Sequence, residues 1–147
     1  MDPDRLIDAP ARSRNEQLAA FMRRLRYCEE RGRGVDRAVD AIEQAALAPP
    51  LFQAIDDSTV VTLYAARNFA AMSKEDRIGA CYQHASLRWE ASMAMSNQSL
   101  RNRFGLSDKQ YPQVSIVIRD TIDAGLVRPQ DEEQGNRNAR YVPWWVE

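Results

Sequence analysis

Ser96-Asn97-Gln98-Ser99-Leu100-Arg101-Asn102-Arg103-Phe104-Gly105-Leu106 decides the fold, read together with the stretch from Pro112 to Gly125. Asn97 is a good cap for a short helix carrying Leu100 and Phe104, and Gly105 ends it. After a polar turn, Pro112 suits the first turn of a longer helix. Val114, Val117, Ile118, Thr121 and Ile122 share one face of that helix, and Gly125 stops it. A short helix, a glycine turn and a longer helix make a helix-turn-helix. Upstream, Ser73 followed by Glu75-Asp76 starts another helix, with Ile78, Cys81, Tyr82 and Ala85 as its apolar stripe. Downstream, Leu126-Val127-Arg128 and Ala139 to Val142 read as strands around a polar loop, Pro129 to Asn138. Three helices and then a hairpin is the winged-helix order.

The first half has a different pattern. Met1 to Arg12, with Pro3 and Pro10, has no usable period and reads as an extended arm. Ser13 with Glu16 forms a capping-box pattern, and Asn15 is a rival cap. Leu18, Phe21, Met22 and Leu25 then make one apolar helical face, and Gly32 is the expected end of that helix. Val35, Ala38, Val39, Ile42 and Ala46 repeat the spacing up to Pro49-Pro50. Leu51 to Ile55 and Thr59 to Tyr64 read as a hairpin around Asp56-Asp57-Ser58. The expected class is α+β: a helical pair with a β-hairpin over residues 1–66, then a winged helix-turn-helix over 67–147.

Composition narrows the function. The 147 residues are 44% apolar and 28% charged, which are globular values. No apolar run suits a membrane span and no signal core is present, so a cytoplasmic protein is expected. A net charge of −1 argues against a uniformly basic nucleic-acid coat. Of the 20 basic residues only Lys74 and Lys109 are lysines. Arginine offers the planar, bidentate contacts to phosphate that lysine lacks. Cys28 and Cys81 cannot make a zinc site or a disulfide framework alone, and no metal is expected.

If the winged helix docks on double-stranded DNA, Lys109, Gln110, Gln113, Ile116 and Arg119 approach from the third helix and its entrance. Arg137 and Arg140 approach from the wing. Asp120, Asp123 and the run Asp131-Glu132-Glu133 oppose them. The competing reading is a protein-interaction or dimerisation module, in which Ile116 and one of Trp144-Trp145 cover a partner. Adjacent residues of a strand face opposite ways, so one Trp packs on the core and the other outward. A homodimer is expected on that ground. An enzyme is the third reading, and its candidate groups are His84, Cys28 and Cys81, with Cys81 and His84 three residues apart on one helix. Cys81 on an apolar stripe makes that dyad unpromising, so the chain is expected not to be an enzyme. Gly32 and Gly34 stand before a helix, where a tight turn and a phosphate-approaching loop are both open.

Several of these stretches also resemble a known family. Arg14-Asn15, Leu25-Arg26-Tyr27, Glu30-Arg31-Gly32-Arg33-Gly34-Val35-Asp36 and Pro49-Pro50-Leu51-Phe52 resemble the RecG-like C-terminal ATP-binding region of bacterial transcriptional regulators. Those regulators begin with a Schlafen/AlbA-type DNA-binding domain. Cys81-Tyr82-Gln83-His84-Ala85, Ser99 to Gly105, Ala124-Gly125-Leu126-Val127-Arg128-Pro129 and Tyr141-Val142-Pro143-Trp144-Trp145 resemble their winged-helix tail. The resemblance implies that this chain corresponds to the C-terminal part of such a protein. It also implies that the acidic helix and the Asp-x-Gly-x-Gly loop of a GHKL-type nucleotide fold lie outside it. Gly32 and Gly34 would then be a remnant of a cofactor site, and no bound cofactor is expected.

Overall fold

Every α-helix among the described residues ends in the same way. A computed structural model describes residues 5–7, 13–28, 34–135 and 138–146. Among these, the α-helices are α1 (Glu16–Arg24), α2 (Gly34–Gln44), α3 (Lys74–Glu90), α4 (Asn97–Arg103) and α5 (Tyr111–Asp123). After each, the second residue takes a left-handed backbone: Arg26 (φ 61°), Ala46 (φ 52°), Ser92 (φ 59°), Gly105 (φ 65°) and Gly125 (φ 72°). The paired bonds of a Schellman ending accompany each one, as in Leu106 N–H to the Arg101 carbonyl and Gly105 N–H to that of Asn102. Glycine fills only two of the five positions.

Strands β1 (Leu51–Ile55) and β2 (Ser58–Thr62) pair antiparallel across an Asp56-Asp57 loop, with Asp56 left-handed at φ 50°. Strands β3 (Val127–Pro129) and β4 (Tyr141–Pro143) form the second antiparallel pair, with Arg128 opposite Val142. Met95 extends β4 by a bridge to Tyr141. Helices α3, α4 and α5 followed by β3–β4 are a winged helix, as the sequence pattern anticipates. No helix among the described residues is long and apolar enough to cross a membrane.

The core belongs to the second half. Cys81, Tyr82 and Ala85 of α3, Leu100 of α4, Val114, Val117 and Ile118 of α5, and Val127 of β3 are buried together with Met95 and Phe104. Thr121 is fully buried and returns its hydroxyl to the Val117 carbonyl, 2.7 Å away. Trp145 packs on this core and donates its indole N–H to the Tyr82 hydroxyl, whereas Trp144 faces outward.

Three sequence expectations need correction. Helix α1 ends at Arg24, with Leu25 as its C-cap, rather than running on to Gly32, which lies outside the described residues. The left-handed Arg26 terminates it first. Helix α2 stops at Gln44, short of Ala46. Asn97 is the first residue of α4 and Ser96 is its cap: Ser96 Oγ accepts from Ser99 N–H at 3.1 Å, and Ser99 Oγ accepts from Ser96 N–H at 3.0 Å. For α1, Asn15 is the cap, accepting from Leu18 N–H.

The apolar face of α1 has the predicted spacing but not the predicted burial. Leu18, Phe21 and Leu25 are each at least half exposed, and no residue of α1 is buried. Helix α2 and the residues after it, in contrast, reach the winged helix through polar bonds, and Ala48 joins its core. Glu43 of α2 meets His84 of α3, Arg103 of α4 donates to the Leu47 carbonyl, and Gln83 of α3 donates to that of Pro50.

Candidate nucleic-acid interface

Helix α4 is held across the start of α5 by Asn97. Its side-chain amide donates to the Tyr111 carbonyl and the Ser115 hydroxyl, and its oxygen accepts from Arg101 Nε at 3.0 Å. That bond network, rather than capping, is the work of Asn97. Arg101 is committed as well: it pairs with Asp108 and stacks over the Tyr111 ring.

On the other side of α5 from α3, a groove of about 880 Å³ runs between the start of α4, the flank of α5 and the wing strand β4. Gln98, Ser115, Arg119, Asn138 and Arg140 line it. Among the described lining residues there is no carboxylate. Arg119 and Arg140 are exposed, so their guanidinium groups keep most of their hydration and remain open to an anion. A phosphate backbone needs such a surface, because a facing carboxylate would cancel each contact.

The base of the wing is stapled by Gln134. Its amide donates to the Arg140 carbonyl at 2.8 Å, and its oxygen accepts from Arg140 N–H at 2.7 Å. Gln130 N–H shares the same carbonyl. These bonds hold Arg140 at the groove. The acidic run is confined to the outgoing side of the loop, where Asp131 accepts from Glu133 N–H.

The residues expected at a DNA surface therefore divide. Arg119 and Arg140 come together on the groove. Gln110, Gln113 and Ile116 lie on the opposite flank of α5, around a second cavity that also holds Asp120 and Lys74. Gln110 spends its side-chain oxygen on Ser107 N–H. Lys109 is exposed in the short 3-10 turn Asp108–Gln110 before α5. Arg137 and Gly32 lie outside the described residues, and Gly34 is the exposed first residue of α2. Asn138 belongs to the polar wing cluster of the sequence, whereas Gln98 and Ser115 were missed by the sequence reading. A polar residue in the first turn of the helix before the long one is the only local signal Gln98 carries.

Cys81 and His84 do not face each other as a dyad. Cys81 is fully buried, its thiol approaches Met95 Sδ at 3.8 Å, and desolvation pushes its pKa up to about 12. His84 has both ring nitrogens engaged, Nδ1 by Glu43 at 2.6 Å and Nε2 by the Ser99 hydroxyl at 3.0 Å. That Ser99 Oγ also lies 3.0 Å from the Ser96 carbonyl, within the cap of α4. Arg103 lies beside this group, its Nε 4.0 Å from Glu43 Oε2. Burial holds the Arg103 pKa below its ordinary value, against the pull of Glu43.

Residues 1–63 match the family model described as "Putative ATP-dependent DNA helicase recG C-terminal". That stretch is RecG-like. It takes in α1, α2, β1 and β2, and the RecG-like segment ends before α3 begins. No curated protein and no solved structure matches the chain.

Proposed function

We propose that this chain is a DNA-binding winged-helix module of a bacterial transcriptional regulator, carried behind a RecG-like segment and acting by binding rather than by catalysis. The supporting observation is the groove between α4, α5 and the wing, whose described lining holds no carboxylate and on which Arg119 and Arg140 are open. Resemblance to the tails of Schlafen/AlbA-type regulators supports the same reading. In it, Arg119 and Arg140 neutralise phosphates, while Gln98, Ser115 and Asn138 offer hydrogen bonds to phosphate or base edges. Lys109 and Arg137 bring the cations to four, for a log–log salt slope of roughly −3.6 at about −0.9 per contact.

The test is titration of labelled duplex DNA at several salt concentrations. Arg119→Ala with Arg140→Ala should weaken binding to every sequence and flatten the slope by about two. Salt-insensitive curves, identical for wild type and variant, would sink the proposal. A second reading is favoured by Ile116 at 57% exposure and Trp144 at 44%, apolar groups suited to a protein partner or a second copy. In that case Ile116→Asp and Trp144→Ser abolish assembly seen by light scattering, and the arginine variants are silent.

A further inference from the structure

We propose that the cavity on the α3 side of α5 is a binding site for a small aromatic carboxylate. It measures about 710 Å³, within the range of small-molecule pockets. Its apolar wall is built around Phe69 and Phe104, whose rings meet edge to face at 4.9 Å, and is continued by Ile78, Leu106 and Ile116. A flat ring gains most against such a wall, through offset and edge contacts that an aliphatic chain cannot make.

The polar side of the cavity sets the charge of the occupant. Lys74 and Arg77 stand three residues apart on α3, on one face, and both line the cavity. Arg77 is anchored by two bonds to the Phe69 carbonyl, at 3.2 and 3.0 Å, and stacks on the Phe69 ring. Against these two cations the cavity sets one carboxylate, Asp120, which is paired with Lys74 at 3.0 Å. The Lys74 side chain is 63% exposed, so it exchanges Asp120 for another carboxylate at little cost. The first turn of α3 favours negative charge already: its own backbone N–H and the Ser73 hydroxyl hold the exposed Glu75 carboxyl below its ordinary pKa. Ile116 thereby has a role that needs neither DNA nor a protein partner, and the site stands whether or not α5 meets DNA.

The experiment is a fluorescence and calorimetric titration of the full chain with 2-naphthoate and with neutral 2-naphthamide. Naphthoate should bind at least tenfold more tightly than the amide. Lys74→Gln, at an exposed side chain, should erase that preference, because the freed Asp120 then offsets Arg77. Ala70→Trp, at an exposed lining position, should block both ligands, with circular dichroism confirming the helix content. Equal affinity for the two probes, a preference that survives Lys74→Gln, or binding that survives Ala70→Trp would each overturn the proposal, as would no binding of naphthoate at millimolar concentration.

Discussion

Glu43 Oε1 lies 2.6 Å from His84 Nδ1, joining residues 41 positions apart in sequence and tying α2 to the middle of α3. Both side chains are largely buried, at 17% and 6% exposure. A carboxylate can only accept, so the imidazole keeps its proton on Nδ1 and turns Nε2 toward Ser99. The same carboxylate is the anionic neighbour of the buried Arg103.

Glu43→Ala therefore removes more than one bond. It leaves the His84 N–H unpaired and Arg103 without its counter-charge, and the expected loss is about 1.5–3 kcal/mol. Urea unfolding would measure it. Glu43→Gln should recover part of the loss, since the amide oxygen still accepts from His84. An unchanged midpoint for Glu43→Ala would show that the contact adds nothing to stability.

Stability should fall at alkaline pH through Cys81. In the unfolded chain the thiol deprotonates near 9.0, whereas the buried thiol holds its proton to about 12. The folded pKa is raised, so this contribution is complete below pH 9 and is lost as pH rises toward 12. The slope approaches about 1.4 kcal/mol per pH unit within that window. Cys81→Ala should lower stability at neutral pH and remove that slope, read from urea midpoints between pH 8 and 11. Thiol reagents at neutral pH should label the exposed Cys28 and spare Cys81.

Replacing a left-handed residue with glycine should stabilise two helix ends. Ala46 (φ 52°) and Ser92 (φ 59°) carry a Cβ where the backbone disfavours one, at a cost of roughly 1–2 kcal/mol each. After the entropy that glycine loses on folding, Ala46→Gly and Ser92→Gly should each gain about 0.5–1 kcal/mol. Thermal melts should rise. The opposite substitution, Gly105→Ala at φ 65°, should lower them.

The exposed face of α1 should tolerate polar replacement. Phe21 is 59% exposed and Leu18 54% exposed, so Phe21→Ser and Leu18→Ser should change unfolding free energy by no more than about 0.5 kcal/mol. A loss of several kcal/mol, measured by urea titration at low protein concentration, would contradict the exposure of this face.

The winged helix was legible because its signals are local. Val114, Val117, Ile118 and Thr121 keep one period, Ser73 and Asp76 make a reciprocal cap, and Gly105 and Gly125 mark the helix ends. The cap of α4 was misplaced because Ser96 and Asn97 are both good caps, and only the partner Ser99, three residues on, separates them. Periodicity in α1 correctly reported an amphipathic helix, but it carries no information on what lies against the apolar side. The groove was half legible. Arg119 and Arg140 could be named from the motif, whereas Gln98 and Ser115 join them only because α4 crosses α5. Gln113 and Ile116 are exposed on α5 as expected but lie on its other flank from Arg119, since a helical wheel gives directions, not neighbours.

The seam between α2 and the winged helix is rich in directional bonds. It is closed by the Glu43–His84 pair and by two side-chain bonds to carbonyls, from Arg103 to Leu47 and from Gln83 to Pro50. Greasy surfaces slide over one another with small loss, but directional bonds fail within a few tens of degrees of misalignment. The seam therefore transmits rotation as a toothed coupling does. A torque applied to α2 is passed through these bonds to α3 and α4, and so to the groove between α4, α5 and the wing.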